Sequence, residues 1–117
     1  MTHRRLSRPS AAPIISTLPG IHDMQGQEDD LRVFAHYADA WTFWWMLAYD
    51  PETDKALFVT NYGEPEYEML YVGTVASVEQ HQSVWDRDEC VGLTVAEARE
   101  TLAPVDYGST YYGRGLG

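Results

Sequence analysis

A chain of 117 residues with a formal net charge of −10 is sized for one domain and one modest hydrophobic core. Its single cysteine, Cys90, excludes an intramolecular disulfide, and no apolar run reaches the ~18 residues that a membrane-crossing helix requires. With no hydrophobic leader segment either, the expected location is the cytosol of a host cell.

Charge is unevenly placed. Arg4, Arg5 and Arg8 lie in the first eight residues, whereas Ile21 to Asp106 sets all 18 acids against Arg32, Lys55, Arg87 and Arg99, a net of −14 from four bases and 18 acids. A body this acidic repels nucleic acid and anionic membrane and attracts basic surfaces over about a Debye length. Acidity of this kind also serves solubility alone.

Residues 1–20 carry three of the six prolines, several hydroxyl residues and no acid, and read as a flexible basic arm. Its arginines could instead dock on the protein's own acidic body. Residues 21–106 form the single acidic domain. Gly20 to Asp30 is polar with two glycines and reads as a loop, leading into Leu31 to Tyr37, whose alternation predicts a strand.

Thr42 to Tyr49 is apolar throughout and aromatic-rich, which predicts a central strand covered on both faces. Asp50-Pro51-Glu52-Thr53-Asp54-Lys55 places proline second in a turn flanked by acids, so Ala56 to Tyr62 returns as a hairpin partner. Gly63 to Glu68 makes the next turn and Met69 to Val75 the fourth strand, where Gly73 implies a bulge or a close backbone approach. Ala76 to Gln82 fits either a short helix or a strand extension, and Trp85 to Glu89 reads as a loop.

Thr94-Val95-Ala96-Glu97 is a capping box, Val95, Ala98 and Leu102 share one helical face, and Pro104 ends the run. Val95 to Leu102 is therefore predicted as an amphipathic helix packed on the sheet. Residues 107–117 form a glycine- and tyrosine-rich tail. The predicted class is α+β: a small antiparallel sheet of about four strands, one short C-terminal helix and two flexible tails.

No constellation carries catalysis. His3, His22, His36 and His81 lack metal-ligand spacing, and Cys90 with His81 and Asp86 has no local signature of a nucleophile and its base. The body has no phosphate-binding glycine loop and no basic residues interleaved with aromatics, so neither a cofactor, direct nucleic-acid binding nor an enzyme activity is expected. Carboxylates gather at Glu64, Glu66 and Glu68 on one turn and at Asp86, Asp88 and Glu89 on another, where solvated turns are the ordinary explanation.

The tryptophans are ordinarily core. Adjacent Trp44 and Trp45 must point to opposite faces of a strand, so one is expected to be partly exposed, and exposed aromatics favour interfaces.

Leu18-Pro19, Val33 to Tyr37, Trp44-Trp45 with Tyr49-Asp50-Pro51, Leu57-Phe58-Val59 and Glu68-Met69-Leu70-Tyr71-Val72-Gly73-Thr74 together resemble a family of small proteins of unknown function borne by plasmids, integrative elements and phages. The similarity covers residues 18 to 78. The chain differs from the pattern at Ala48, where the family has Glu, and at Leu70, where it has Gly. The resemblance implies a mobile-element cargo protein of α+β build, with no activity to carry over.

Two functions follow as expectations. The first is an acidic inhibitor of anti-restriction or anti-CRISPR type that occupies a basic nucleic-acid groove on a host protein, such as a CRISPR effector complex. Glu64, Glu66, Glu68, Asp86, Asp88 and Glu89 would stand in for phosphates, with Trp85 and Trp45 as aromatic anchors. The second is a small-ligand or peptide-binding module built on the aromatic sheet face.

Overall fold

The computed structural model describes residues 5–18, 26–40, 42–61, 68–81 and 83–102, and within them five strands form one antiparallel sheet. Strands β1 (Ala35–Ala38), β2 (Phe43–Tyr49), β3 (Lys55–Asn61), β4 (Met69–Thr74) and β5 (Trp85–Arg87) lie in the order β4-β3-β2-β1-β5. Helix α1 (Val75–Glu79) follows β4, and α2 (Val95–Leu102) follows β5. The class is α+β.

β2 sets the architecture. All seven of its residues are apolar and buried, which puts it at the centre of the sheet with both faces covered. Phe43, Trp45 and Leu47 enter one apolar cluster together with Val95 and Ala98 of α2. Trp44 and Met46 enter the other, with Leu6, Ala12, Val75 and Val78. The pairing with β3 shifts between Met46 and Ala48, so Leu47 and Ala48 both serve the α2 side. This bulge returns Tyr49 to the opposite face.

The β2–β3 turn is built by its own side chains. Asp50 accepts from the Glu52 amide (2.9 Å) and the Thr53 hydroxyl (3.0 Å), while the Asp54 amide donates to the Asp50 carbonyl (2.8 Å). Asp54 sits at φ 65°, a left-handed conformation that aspartate tolerates better than most residues. α2 is capped as the motif requires: the Thr94 amide donates to Glu97 (2.9 Å), and the Glu97 amide donates back to the Thr94 hydroxyl (3.2 Å).

Several expectations are corrected. The sheet has five strands rather than four, because β5 is three residues of mostly polar sequence on an edge and shows no apolar alternation. β1 starts at Ala35; its predicted first half bonds instead to the loop before α2, with the Val33 amide donating to Leu93 O and the Val95 amide to Leu31 O. The helix of the two alternatives for Ala76 to Gln82 is present, and α1 begins one residue earlier, at Val75, because Thr74 acts as its N-cap and accepts from the Ser77 amide (3.1 Å). At Gly73 the pairing is unbroken, so of the two readings the bulge is absent and a close approach holds: the Tyr71 hydroxyl lies 2.5 Å and its ring 2.7 Å from where a Cβ would stand.

Of the two readings of the arm, residues 5–18 follow the docked one. Residues 5–18 pack on the body instead of standing off it. Leu6 and Ala12 are buried against the β2 face, and the Tyr49 amide donates to Pro13 O (2.8 Å). Ile15 and Leu18 then reach the opposite cluster. This covering buries both Trp44 and Trp45, where one was expected to be exposed. The predicted glycine- and tyrosine-rich tail lies outside the described residues, as do Trp41, Leu102's side chain and residues 62–67 of the second turn.

Candidate partner-binding edge

The residues singled out in the sequence do not form one patch. Glu64 and Glu66 lie outside the described residues. Glu68 precedes β4, whereas Asp86, Asp88 and Glu89 belong to β5 and its exit, at the other edge of the sheet. Four strand spacings separate the two edges, roughly 19 Å. Trp45 is removed from the set altogether: it is fully buried and stacked on Phe43, with ring centroids 4.3 Å apart. Its position in a strand covered on both sides leaves it no route to a partner.

Glu68 is already engaged. Arg99 of α2 donates to it through Nε (2.9 Å) and Nη2 (2.7 Å), and also to Glu28 (3.1 Å) and Asp29. The hydrogen bonds that Arg99 donates to Glu68 lead the forces that raise its pKa, so the guanidinium is permanently charged. One cation against three carboxylates leaves this knot at −2.

A second knot realises the alternative reading in which an arginine of the N-terminal segment docks on the acidic body. Arg8 donates through Nε to Asp54 (2.9 Å) and through Nη1 to Glu79 (2.6 Å), with a further bond to the carbonyl two residues before it, Leu6 O (2.9 Å). Asp54 also accepts from the Tyr49 hydroxyl (2.6 Å) and the Ala76 amide (2.9 Å), and Glu79 from the Leu6 amide (2.7 Å). Burial opposes the Asp54 charge, but the bonds from Arg8, Tyr49 and Ala76 outweigh it and hold its pKa below the usual carboxylate value. The Arg8 hydrogen bond does the same for Glu79. Nearby, the Tyr37 hydroxyl donates to Ser7 O, and burial pushes its pKa up. Arg8 pairs across 46 and 71 residues, and no local motif announces such distances.

Of the described candidate residues, those of the β5 edge face outward. Trp85 is 39 % exposed there. Asp86 accepts from the Ser7 amide (3.2 Å) and hydroxyl (2.8 Å), which ties it to the N-terminal segment. Asp88 and Glu89 are exposed, and the hydrogen bond from Arg87 (2.9 Å) keeps the Glu89 pKa below its ordinary value. Val91, 46 % exposed, extends this edge with a small apolar surface. Trp85 pairs with Ala38 and Asp86 with Tyr37, so the indole projects from the α2 side of the strand and the Asp86 carboxylate from the side of the N-terminal segment.

Other groupings are separated or confined. Cys90 is buried in the α2-side cluster, while His81 packs by Trp44 of the opposite cluster, so the two do not meet. His36 is buried in β1, with Nδ1 2.8 Å from Glu89 O and edge-on to Phe43 and Trp45. Trp44, Tyr71, Ser77, Val78 and His81 line a cleft of about 130 Å³. Among the described residues, no group of three or more His, Cys, Asp or Glu side chains is placed to hold a metal ion, and no helix is long and apolar enough to cross a membrane.

No protein-family model, curated protein or solved structure matches the chain.

Proposed function

We propose that this chain is a protein-binding inhibitor of a phage or plasmid, which uses its β5 edge to occupy a basic nucleic-acid-binding groove on a host protein. The observation that carries the reading is Trp85, exposed on an edge strand from whose other face Asp86 projects and which leads into the exposed Asp88 and Glu89. A solvent-facing indole costs hydrophobic free energy that a partner recovers, and the carboxylates steer basic surfaces toward it. The net charge of −10 supplies the long-range attraction. The mobile-element origin rests on the sequence resemblance over residues 18–78, and the groove-blocking mode on the acidity of the body. The protein acts by occupancy and carries out no reaction of its own.

The test is capture from a nuclease-treated host lysate, eluted by a salt step and identified by mass spectrometry. The reading expects a basic nucleic-acid-processing protein that DNA competes away. It also expects Trp85→Ala with Asp88→Lys to abolish that capture. A partner retained at high salt and indifferent to DNA would refute groove blocking.

A second reading has its own observation. The aromatic cleft at Trp44, Tyr71 and His81 supports a module for a small ligand or peptide side chain. It predicts a change in tryptophan fluorescence on ligand addition, with little dependence on salt.

A further inference from the structure

The two edges of the sheet are finished differently. β5 is three residues long, and two of them are charged. β4 runs six residues, Met69–Thr74, with no charge, no proline and no break in its pairing with β3. Among the described residues its outer side pairs with no other strand, and Met69 and Val72 are 43 % and 40 % exposed on it. Proteins ordinarily guard a long edge with charge, proline, a bulge or brevity. β4 has none of these guards.

We propose that β4 pairs antiparallel with β4 of a second copy across a two-fold axis, joining two five-stranded sheets into one of ten. Residues directly opposite in such a pair must project from the same face, so the axis passes through a residue and not between two. Centring it on Tyr71 sets Leu70 against Val72 of the second copy and Met69 against Gly73. The exposed apolar side chains of the edge are then covered.

Charge selects a second copy as the occupant. Ahead of β4 stands Glu68, part of the Arg99 knot with its residual −2. Beside the other end stands Lys55, exposed, level with Thr74 in the β3–β4 register and without an ion-pair partner among the described residues. In the Tyr71-centred register Glu68 faces Thr74 of the second copy, so that copy's Lys55 lies two strand spacings away, about 10 Å. Glu68 and Lys55 project from the same face, so the extended Lys55 side chain reaches toward the negative knot in which Arg99 holds Glu68. Two-fold symmetry makes the contact twice. The β5 edges stay free at the ends of the joined sheet, so this inference is independent of the partner-binding reading.

Sedimentation equilibrium of the full chain, over a concentration series reaching the millimolar range, is the test. The expected result is a reversible species of twice 13.3 kDa. Val72→Lys should leave only monomer with unchanged circular dichroism and melting, because the site is already part-exposed. Trp85→Lys, on the other edge, should leave the dimer intact. Lys55→Glu lies outside the strand contact and should weaken association about tenfold, which decides the matter if Val72→Lys misfolds. A 13.3 kDa species throughout the series, a Val72→Lys dimer, or a Lys55→Glu dimer of unchanged strength would each overturn the proposal.

Discussion

Two arginines organise the acids of this protein, and they do so under different conditions. Arg8 is 14 % exposed and holds Asp54 and Glu79 within a network that also engages the Tyr49 hydroxyl and two backbone amides. Arg99 is 30 % exposed and holds Glu28, Glu68 and the half-exposed Asp29. The first knot fastens a remote segment over a face of the sheet; the second joins a helix to neighbouring loops. Together they engage five of the 18 acids, so formal charge overstates the negative surface open to a partner. The difference teaches that burial and partner number decide what an ion pair contributes.

Breaking the first knot should have the largest effect. Arg8→Ala leaves two part-buried carboxylates without their cation and should cost about 2–4 kcal/mol in denaturant unfolding. Faster amide exchange is expected at Leu6 and Tyr49, whose N–H groups are bonded to Glu79 and to Pro13. Arg8→Lys should restore only part of the loss, since one ammonium cannot reproduce a fork that reaches two carboxylates.

Acid attacks the same place. Asp54 and Glu79 have folded pKa values below their unfolded ones, so their contribution is complete above the unfolded value of about 4 and is lost as pH falls through the folded values. Melting temperature against pH should therefore drop below about pH 4, and Arg8→Ala should flatten that drop. An equal drop in the variant would remove the knot from the account.

Arg99→Ala should cost less, about 1–2 kcal/mol by the same unfolding measurement, because water already screens part of its knot. Thr94→Ala, which removes the capping hydroxyl of α2, should cost about 1 kcal/mol. Smallest of all, Asp88→Lys with Glu89→Lys should change stability by no more than about 0.5 kcal/mol, since both side chains face solvent.

Legibility from sequence follows the range of the forces involved. α2 could be read because its cap, apolar face and terminating proline sit within a dozen residues. The β2–β3 hairpin could be read because Asp50 and Pro51 dictate a local turn between two apolar runs. The N-terminal segment could be read only as a choice between a free arm and a docked one, since Leu6, Ala12 and an arginine whose partners lie far along the chain fix it in place. Prolines and missing acids there describe a chain without regular structure, which is compatible with a packed strap as well as a free arm. Trp45 was misjudged because its cover comes from α2 and from Ile15 and Leu18, which lie far from it in sequence. Of the candidate edge, Trp85, Asp86, Asp88 and Glu89 were named from sequence, but their separation from Glu68 depends on strand order, which no local pattern encodes.

The central claim is that the β5 edge, and not acidity at large, binds the partner. Once the captured host protein is in hand, its affinity should be measured for the wild type and for the Asp88→Lys, Glu89→Lys double variant. Reversing Glu52, an exposed acid on the β2–β3 turn, to Lys supplies the control. A loss of tenfold or more for the edge variant, with a change of less than about twofold for Glu52→Lys, is the predicted result. Equal losses from both variants, or none from either, would contradict it.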